Sequence, residues 1–166
     1  MSSKNGQVTL SAIDFLQLSK QKRVARVDLG DVGLTGIVYV CDISAGKQQQ
    51  LFGGQKALRV YKDQSRDIEL PKDAASKLMR ACMVTDGQDG ATFEAAFNAT
   101  DDNYIMVPEE QLVYLDAVWL KELGNSHAVN TMIQDMSNII TNHITKAINN
   151  LSGLSEDEPV AEKKSN

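Results

Sequence analysis

Apolar residues recur at three- and four-residue steps from Val129 through Met132, Ile133, Met136, Ile139, Ile140, Ile144, Ala147 and Ile148 to Leu151. A stripe of this kind, roughly seven turns long at 3.6 residues per turn, fits one face of an amphipathic helix and no half-buried strand. Such an element must bury its stripe against another layer, so helix packing governs the second half of the chain. The stretch before it reads the same way. Pro108-Glu-Glu suits an acidic first helical turn, and Leu112, Leu115, Val118, Trp119 and Leu123 follow at helical steps before Gly124-Asn125 closes the segment. Ser126 is the expected cap of the last helix and Gly153 its expected end.

The opposite face of that last helix carries Asn130, Thr131, Gln134, Asn138, Thr141, Asn142, Thr145 and Asn149. Solvated helix faces are more often laced with Glu and Lys pairs. A face of uncharged amides and hydroxyls is either an ordinary wet face or one suited to contact with another protein.

The first half changes period. Ser11-Ala-Ile-Asp14 is an N-cap with an acidic residue three places on, and Phe15, Leu16 and Leu18 follow, predicting a helix over 12–20. From Val24 to Ile43 the β-branched residues Val24, Val27, Ile37, Val38, Val40 and Ile43 flank Gly30, Gly33 and Gly36, which predicts a β-hairpin. Ser44 is placed to cap a helix ending at Gly53-Gly54, and residues 61–69 read as a short strand or a loop. Pro71 and Asp73 open a helix striped by Ala74, Leu78 and Cys82 that is expected to end near Val84. Asp86-Gly-Gln-Asp-Gly90 is a turn cluster, and Ala91 to Phe97 is a short strand or one or two helical turns.

Composition narrows the function classes. The net charge of -5 opposes nonspecific nucleic-acid binding, which needs a surplus of Lys and Arg. The local basic run Lys20, Lys22, Arg23 and Arg26 lacks interleaved aromatics and reads as a solvated helix end and strand edge. No apolar run approaches the ~20 residues that cross a bilayer, and no basic start precedes an apolar core as in a secretory signal. A cytoplasmic protein is expected.

Chemistry-bearing motifs are scarce. The glycines at 30, 33 and 36 do not have dinucleotide-binding spacing, and no phosphate loop follows them. Asp86 and Asp89 miss the calcium-loop pattern, because the fifth position is Gly90 and the twelfth is Phe97. His127 and His143 fall on nearly opposite faces of one helix at about 100° per residue, so they do not share a metal, and His143 suits a hydrogen-bonded packing role. Cys41 and Cys82 lie inside apolar patterns and read as small buried hydrophobes rather than a disulfide. No catalytic residue, cofactor or metal is expected, and no enzyme activity.

The order of elements then carries a resemblance. The small N-terminal helix, the Val24–Ile43 hairpin, the Ser44-Ala-Gly-Lys47 helix start, the Ala75-Ser-Lys-Leu-Met-Arg-Ala-Cys-Met-Val-Thr-Asp-Gly87 segment and Leu151-Ser-Gly-Leu-Ser155 before an acidic tail follow one another over residues 10–160. This arrangement resembles the tail assembly chaperones of long-tailed, siphovirus-like bacteriophages. The strand-like Val24–Ile43 segment and the stretch from Gly53 to Leu70 set it apart from that mainly helical family. The resemblance implies a nonstructural protein of the infected bacterium's cytoplasm, not retained in the mature virion. Its partners would be the tape measure protein, which it keeps soluble, and the tail tube protein, which it helps to recruit. It also implies a longer form made by ribosomal frameshifting, for which Glu162-Lys163-Lys164 would supply an A-rich slippery run.

The expected architecture is α+β: a flexible N-terminus over residues 1–10, one domain over 11–152 in which an N-terminal β-hairpin packs on a mainly helical bundle, and a disordered charged tail over 153–166. Trp119, Leu123, Met132, Ile133, Met136, Ile140 and Ile144 are the candidate core or partner-contact positions. The methionines among them are adaptable enough for a helix-in-groove contact. Self-association is a further expectation, since an unfilled apolar groove tends to be covered. Two rivals remain: a virion component such as a head-tail connector or tail terminator subunit, and a small enzyme or regulator, which a deep polar pocket with converging carboxylates or His143 would favour.

Overall fold

The structure, a computed structural model, describes residues 9–53, 57–60, 66–68 and 73–153. Residues 1–8, Pro71 and the charged tail beyond Gly153 lie outside the described residues. The fold is α+β, with seven α-helices and a five-stranded antiparallel sheet among the described residues.

Helix α1 (Ala12–Ser19) opens with the capping box expected of Ser11 and Asp14: the Asp14 N–H donates to Ser11 Oγ at 3.3 Å and the Ser11 N–H to Asp14 Oδ2 at 2.8 Å. Strands β1 (Gln21–Asp28) and β2 (Ile37–Cys41) form the expected hairpin, with Val24 opposite Cys41 and Val27 opposite Val38. A 3₁₀ turn, Leu29–Val32, joins them and ends at Gly33, whose φ of 84° is the left-handed conformation glycine adopts at no steric cost. Helix α2 (Ala45–Phe52) is capped by Ser44 as expected, and β3 (Ala57–Val60) pairs with β4 (Arg66–Ile68) in a separate two-stranded sheet.

Helix α3 (Ala74–Cys82) runs directly into β5 (Met83–Thr85), so the helix stops slightly short of the expected Val84 and that residue joins the sheet. The turn cluster then feeds α4 (Ala91–Asn98), which settles the strand-or-helix alternative for Ala91–Phe97. Gly90 offers this helix no side-chain cap. Asp86 does the work instead: its carboxylate accepts from the N–H groups of Gln88 at 2.7 Å, Gly90 at 3.0 Å and Phe93 at 2.9 Å.

The remaining elements correct the expectations. Strand β6 (Tyr104–Pro108) was not legible as a strand, and it pairs with β1 through Val24 opposite Ile105 and Arg23 opposite Met106. Pro108-Glu-Glu starts no long helix. A 3₁₀ turn, Glu109–Gln111, is followed by the two-residue strand β7 (Val113–Tyr114), and α5 begins only at Leu115 and ends at Leu123. The reason lies in register: Val113 and Tyr114 complete a ladder with Thr85 and Val84, which takes the chain out of helical geometry. The hairpin is therefore the centre of a sheet ordered β6-β1-β2-β5-β7.

The single long C-terminal helix is also two. Helix α6 (Ser126–Gln134) and helix α7 (Asn138–Leu151) are separated at Asp135–Ser137, where Ser137 Oγ accepts from the Ile139 N–H at 3.3 Å and caps α7. The cap of α6 is Asn125 rather than Ser126, its side chain accepting from the Ala128 N–H at 2.8 Å. The apolar repeat continues across the break because Met136 and Ile140 still pack against the core. Helix α7 lies against β1, β2 and α3, and α6 against α3 and α5. Val24, Val40, Met79, Val129, Ile133, Ile144 and Ile148 are all but fully buried in this core. At about 1.5–3 kcal/mol for each large side chain removed from water, these residues dominate the stability of the fold.

Candidate functional site: an exposed apolar helix and a charged groove

Helix α1 has no buried residue. Its large side chains stand in solvent: Ile13 is 67% exposed, Phe15 59%, Leu16 61% and Leu18 53%, with Leu10 at 44% just before it. At 100° per residue these positions spread around the helix instead of forming one stripe. Large apolar side chains of this kind are ordinarily buried. The capping box fixes where it begins, and at its far end Lys20 accepts through its carbonyl from the Glu109 N–H at 2.7 Å, which anchors the start of β1. The result is a held apolar projection from the domain. Met106 on the edge strand β6 is also half exposed, and it faces Arg23, which sits 4.8 Å over the Tyr104 ring.

The expected contact residues divide differently. Ile133 and Ile144 are core. Trp119, Met132, Met136 and Ile140 are partly buried and packed against it, so only Leu123, at 41%, presents a largely exposed side chain. Sequence reasoning placed α1 correctly but assigned it no role. The signal was present: Ala12, Ile13, Phe15, Leu16 and Leu18 crowd a short helix whose polar members are only Asp14, Gln17 and Ser19.

A second feature is a groove of about 450 Å³ lined by Lys22, Asp42, Lys47, Arg80, Glu109, Tyr114 and Asp116, with Ala81 and Leu120 among its apolar walls. Its charges are largely satisfied within the protein. Arg80 Nε donates to Asp116 Oδ1 at 2.6 Å, while its terminal nitrogens reach Asn130 at 3.1 Å and Ser126 at 3.0 Å. Lys22 lies 3.8 Å from Glu109, which also accepts from the Tyr114 hydroxyl at 3.0 Å, and Asp42 accepts from the Arg23 N–H at 3.1 Å. Burial first, then the neighbouring Cys41 and Glu109, push the Tyr114 phenol well above its ordinary range, so it remains a donor at any physiological pH. Asp116 in this way ties α5 to Arg80 on α3, while Glu109 and Asp42 are engaged by residues of β1 and β7.

His143 is outside the groove. Its Nε2 lies 3.1 Å from the Asp28 carbonyl and 3.8 Å from Asp31, the hydrogen-bonded role its place on the stripe suggested. Among the described residues no group of three or more His, Cys, Asp or Glu side chains is placed to hold a metal ion. No helix among them is long and apolar enough to cross a membrane. No protein-family model matches the chain, and neither does any curated protein or solved structure.

Proposed function

We propose that this chain is an assembly chaperone that binds a helix-rich partner through α1, and that the partner is the tape measure protein of a long-tailed bacteriophage. The observation that carries the binding role is the exposure of Ile13, Phe15, Leu16 and Leu18 on a helix with no buried residue. Covering a side chain of that size contributes about 1.5–3 kcal/mol, so a few of them supply a useful affinity. An apolar helix is also the natural counterpart of another amphipathic helix or of a groove between helices. The choice of partner rests on the resemblance in the order of elements. On this reading the chain acts in the host cytoplasm without chemistry of its own, keeps the tape measure protein soluble, helps recruit tail tube subunits and leaves before the virion is complete.

A permanent virion component is the second reading, because a connector or terminator subunit would also need a surface that is covered only after assembly. The two separate on one experiment. The tape measure protein from the same genome is expressed with and without this chain, its soluble fraction is measured, and purified virions are analysed for the chain by mass spectrometry. The chaperone reading expects a soluble partner only on co-expression, and no chain in virions. Equal solubility in both cases, with the chain present in virions, overturns it.

A further inference from the structure

Cys41 ends β2, and Cys82 is the last residue of α3 before β5. The β2–β5 ladder pairs Tyr39 with Val84 and Val40 with Met83. One step further along the same antiparallel register, the next opposing residues are Cys41 and Cys82. Directly opposed ladder residues have Cα atoms about 4.5–5.5 Å apart, and Cys41 and Cys82 stand one position beyond the last pair of this ladder, Cys82 at the end of α3, close to the window of about 4.4–6.8 Å that a disulfide spans. Each thiol is the largest influence on the other's acidity, so the two side chains are neighbours, and both are free and buried in the core.

The pair is also wired to the groove. The Tyr114 side chain lies near enough to Cys41 to influence its acidity and donates to Glu109, and Glu109 lies beside Lys22. Lys22, Glu109 and Tyr114 all line the groove, so a small molecule entering it is one side chain away from a buried dithiol. An ordinary structural cysteine sits alone among apolar neighbours. Two opposed thiols with a phenol and a lysine leading in from solvent are a different arrangement.

We propose that Cys41 and Cys82 form a redox-responsive dithiol that closes to an intramolecular disulfide when a peroxide enters the groove. The hydrogen bond from Cys82, with a further contribution from Lys22, favours the Cys41 thiolate despite its burial, while the same contact and burial hold Cys82 protonated. The Cys41 sulfur attacks one peroxide oxygen, the O–O bond breaks, and water leaves with a proton from the protein, giving a sulfenic acid at Cys41. The Cys82 sulfur then attacks the Cys41 sulfur, the S–S bond forms, and the sulfenic hydroxyl leaves as a second water with the Cys82 proton. Two thiols are oxidised by two electrons and one peroxide is reduced to two waters.

The full chain carries only these two cysteines, so an intramolecular disulfide has a single assignment. The reduced protein is treated with hydrogen peroxide under native conditions, then unfolded, alkylated and weighed intact. The expected species is a monomer lighter by about 2 Da, with no alkylatable thiol, that regains both thiols on reduction. Its Tm should exceed that of the reduced protein by about 5–15 °C, the effect of a cross-link that the native geometry already accommodates. Retention of both alkylatable thiols, oxygen addition to a single cysteine, or disulfide-linked dimers alone would overturn the proposal. A fall in Tm on closing would overturn it as well, since it would mean that the register does not bring the two sulfurs together without strain.

Discussion

The Tyr39 hydroxyl donates a hydrogen bond to the Glu94 carboxylate, tying the buried centre of β2 to the outer face of α4. The same carboxylate takes the Arg26 Nε at 2.8 and 3.0 Å, and the Tyr39 ring meets Phe93 edge-on at 5.0 Å and stacks on Phe97 at 6.3 Å. One glutamate thus holds a helix, two strands and an aromatic cluster in a single arrangement. The Arg26 hydrogen bond first, then the one from Tyr39, hold its carboxyl below the ordinary value of 4.5. A depressed folded-state pKa contributes stability above the unfolded value and loses it as pH falls through the folded one. Glu94→Gln should therefore lower stability by about 1 kcal/mol at pH 7, after allowance for the solvent that reaches this pair. The deficit should shrink steadily below about pH 4.5. Urea melts of both proteins at pH 7 and pH 3 check the prediction.

A second prediction concerns Gly90. Its φ is 82°, and a Cβ built there would stand 2.9 Å from the Tyr39 hydroxyl oxygen. Gly90→Ala combines left-handed strain with a close approach to a buried ring, and should cost about 2–3 kcal/mol. Gly46, inside α2, meets nothing within 4 Å. Gly46→Ala should leave stability unchanged or raise it by up to about 1 kcal/mol. Denaturant midpoints of the two variants should move in opposite directions or differ by the full strain cost.

The Arg80 fork supports a third. It bridges α3 to Asp116 on α5 and to Ser126 and Asn130 on α6, and Ser76 donates to the same Asn130 at 2.6 Å. Arg80→Ala leaves Asp116 without its cation and should cost about 2 kcal/mol. Arg80→Lys should recover less than half of that, because an ammonium cannot reach three partners in fixed directions. Thermal melts of the two variants decide the point.

A fourth separates core from surface among the residues singled out by periodicity. Ile133→Ala should cost about 2–5 kcal/mol, whereas Leu123→Ala should stay within about 0.5 kcal/mol of the parent. Ile133 is 1% exposed against 41% for Leu123. Equal losses at the two positions would mean that Leu123 is covered in solution.

Much of this architecture was legible because local signals and the final packing agree. The Ser11 capping box, the Val24–Ile43 hairpin and the Ser44 cap each rest on residues a few positions apart, and the helix end expected near Val84 falls two residues earlier, at Cys82. What escaped depends on partners distant in sequence. Strand β6 offers only Ile105, Met106 and Val107 between polar residues and Pro108, and becomes a strand because β1 pairs with it. Pro108-Glu-Glu carries a sound helix-start signal, yet the ladder of β7 with β5 overrides it. The break before α7 did have a local mark in Ser137, hidden under an apolar repeat that runs through it. The exposure of α1 was the hardest to read, since apolar residues in a sequence announce burial and here remain more than half exposed.

Deleting residues 126–152 would not test where a partner binds, because it removes Val129, Ile133, Ile144 and Ile148 from the core. The direct test is the double variant Ile13→Ser, Leu16→Ser, co-expressed with the tape measure protein and compared with the parent for partner solubility and co-purification. Both side chains are exposed, so stability should change by no more than about 0.5 kcal/mol per site, checked by the melting temperature of the chain alone. If α1 is the binding surface, the variant folds but no longer retains the partner in the soluble fraction. A folded variant that holds the partner as well as the parent does would contradict the assignment of α1 as the binding surface.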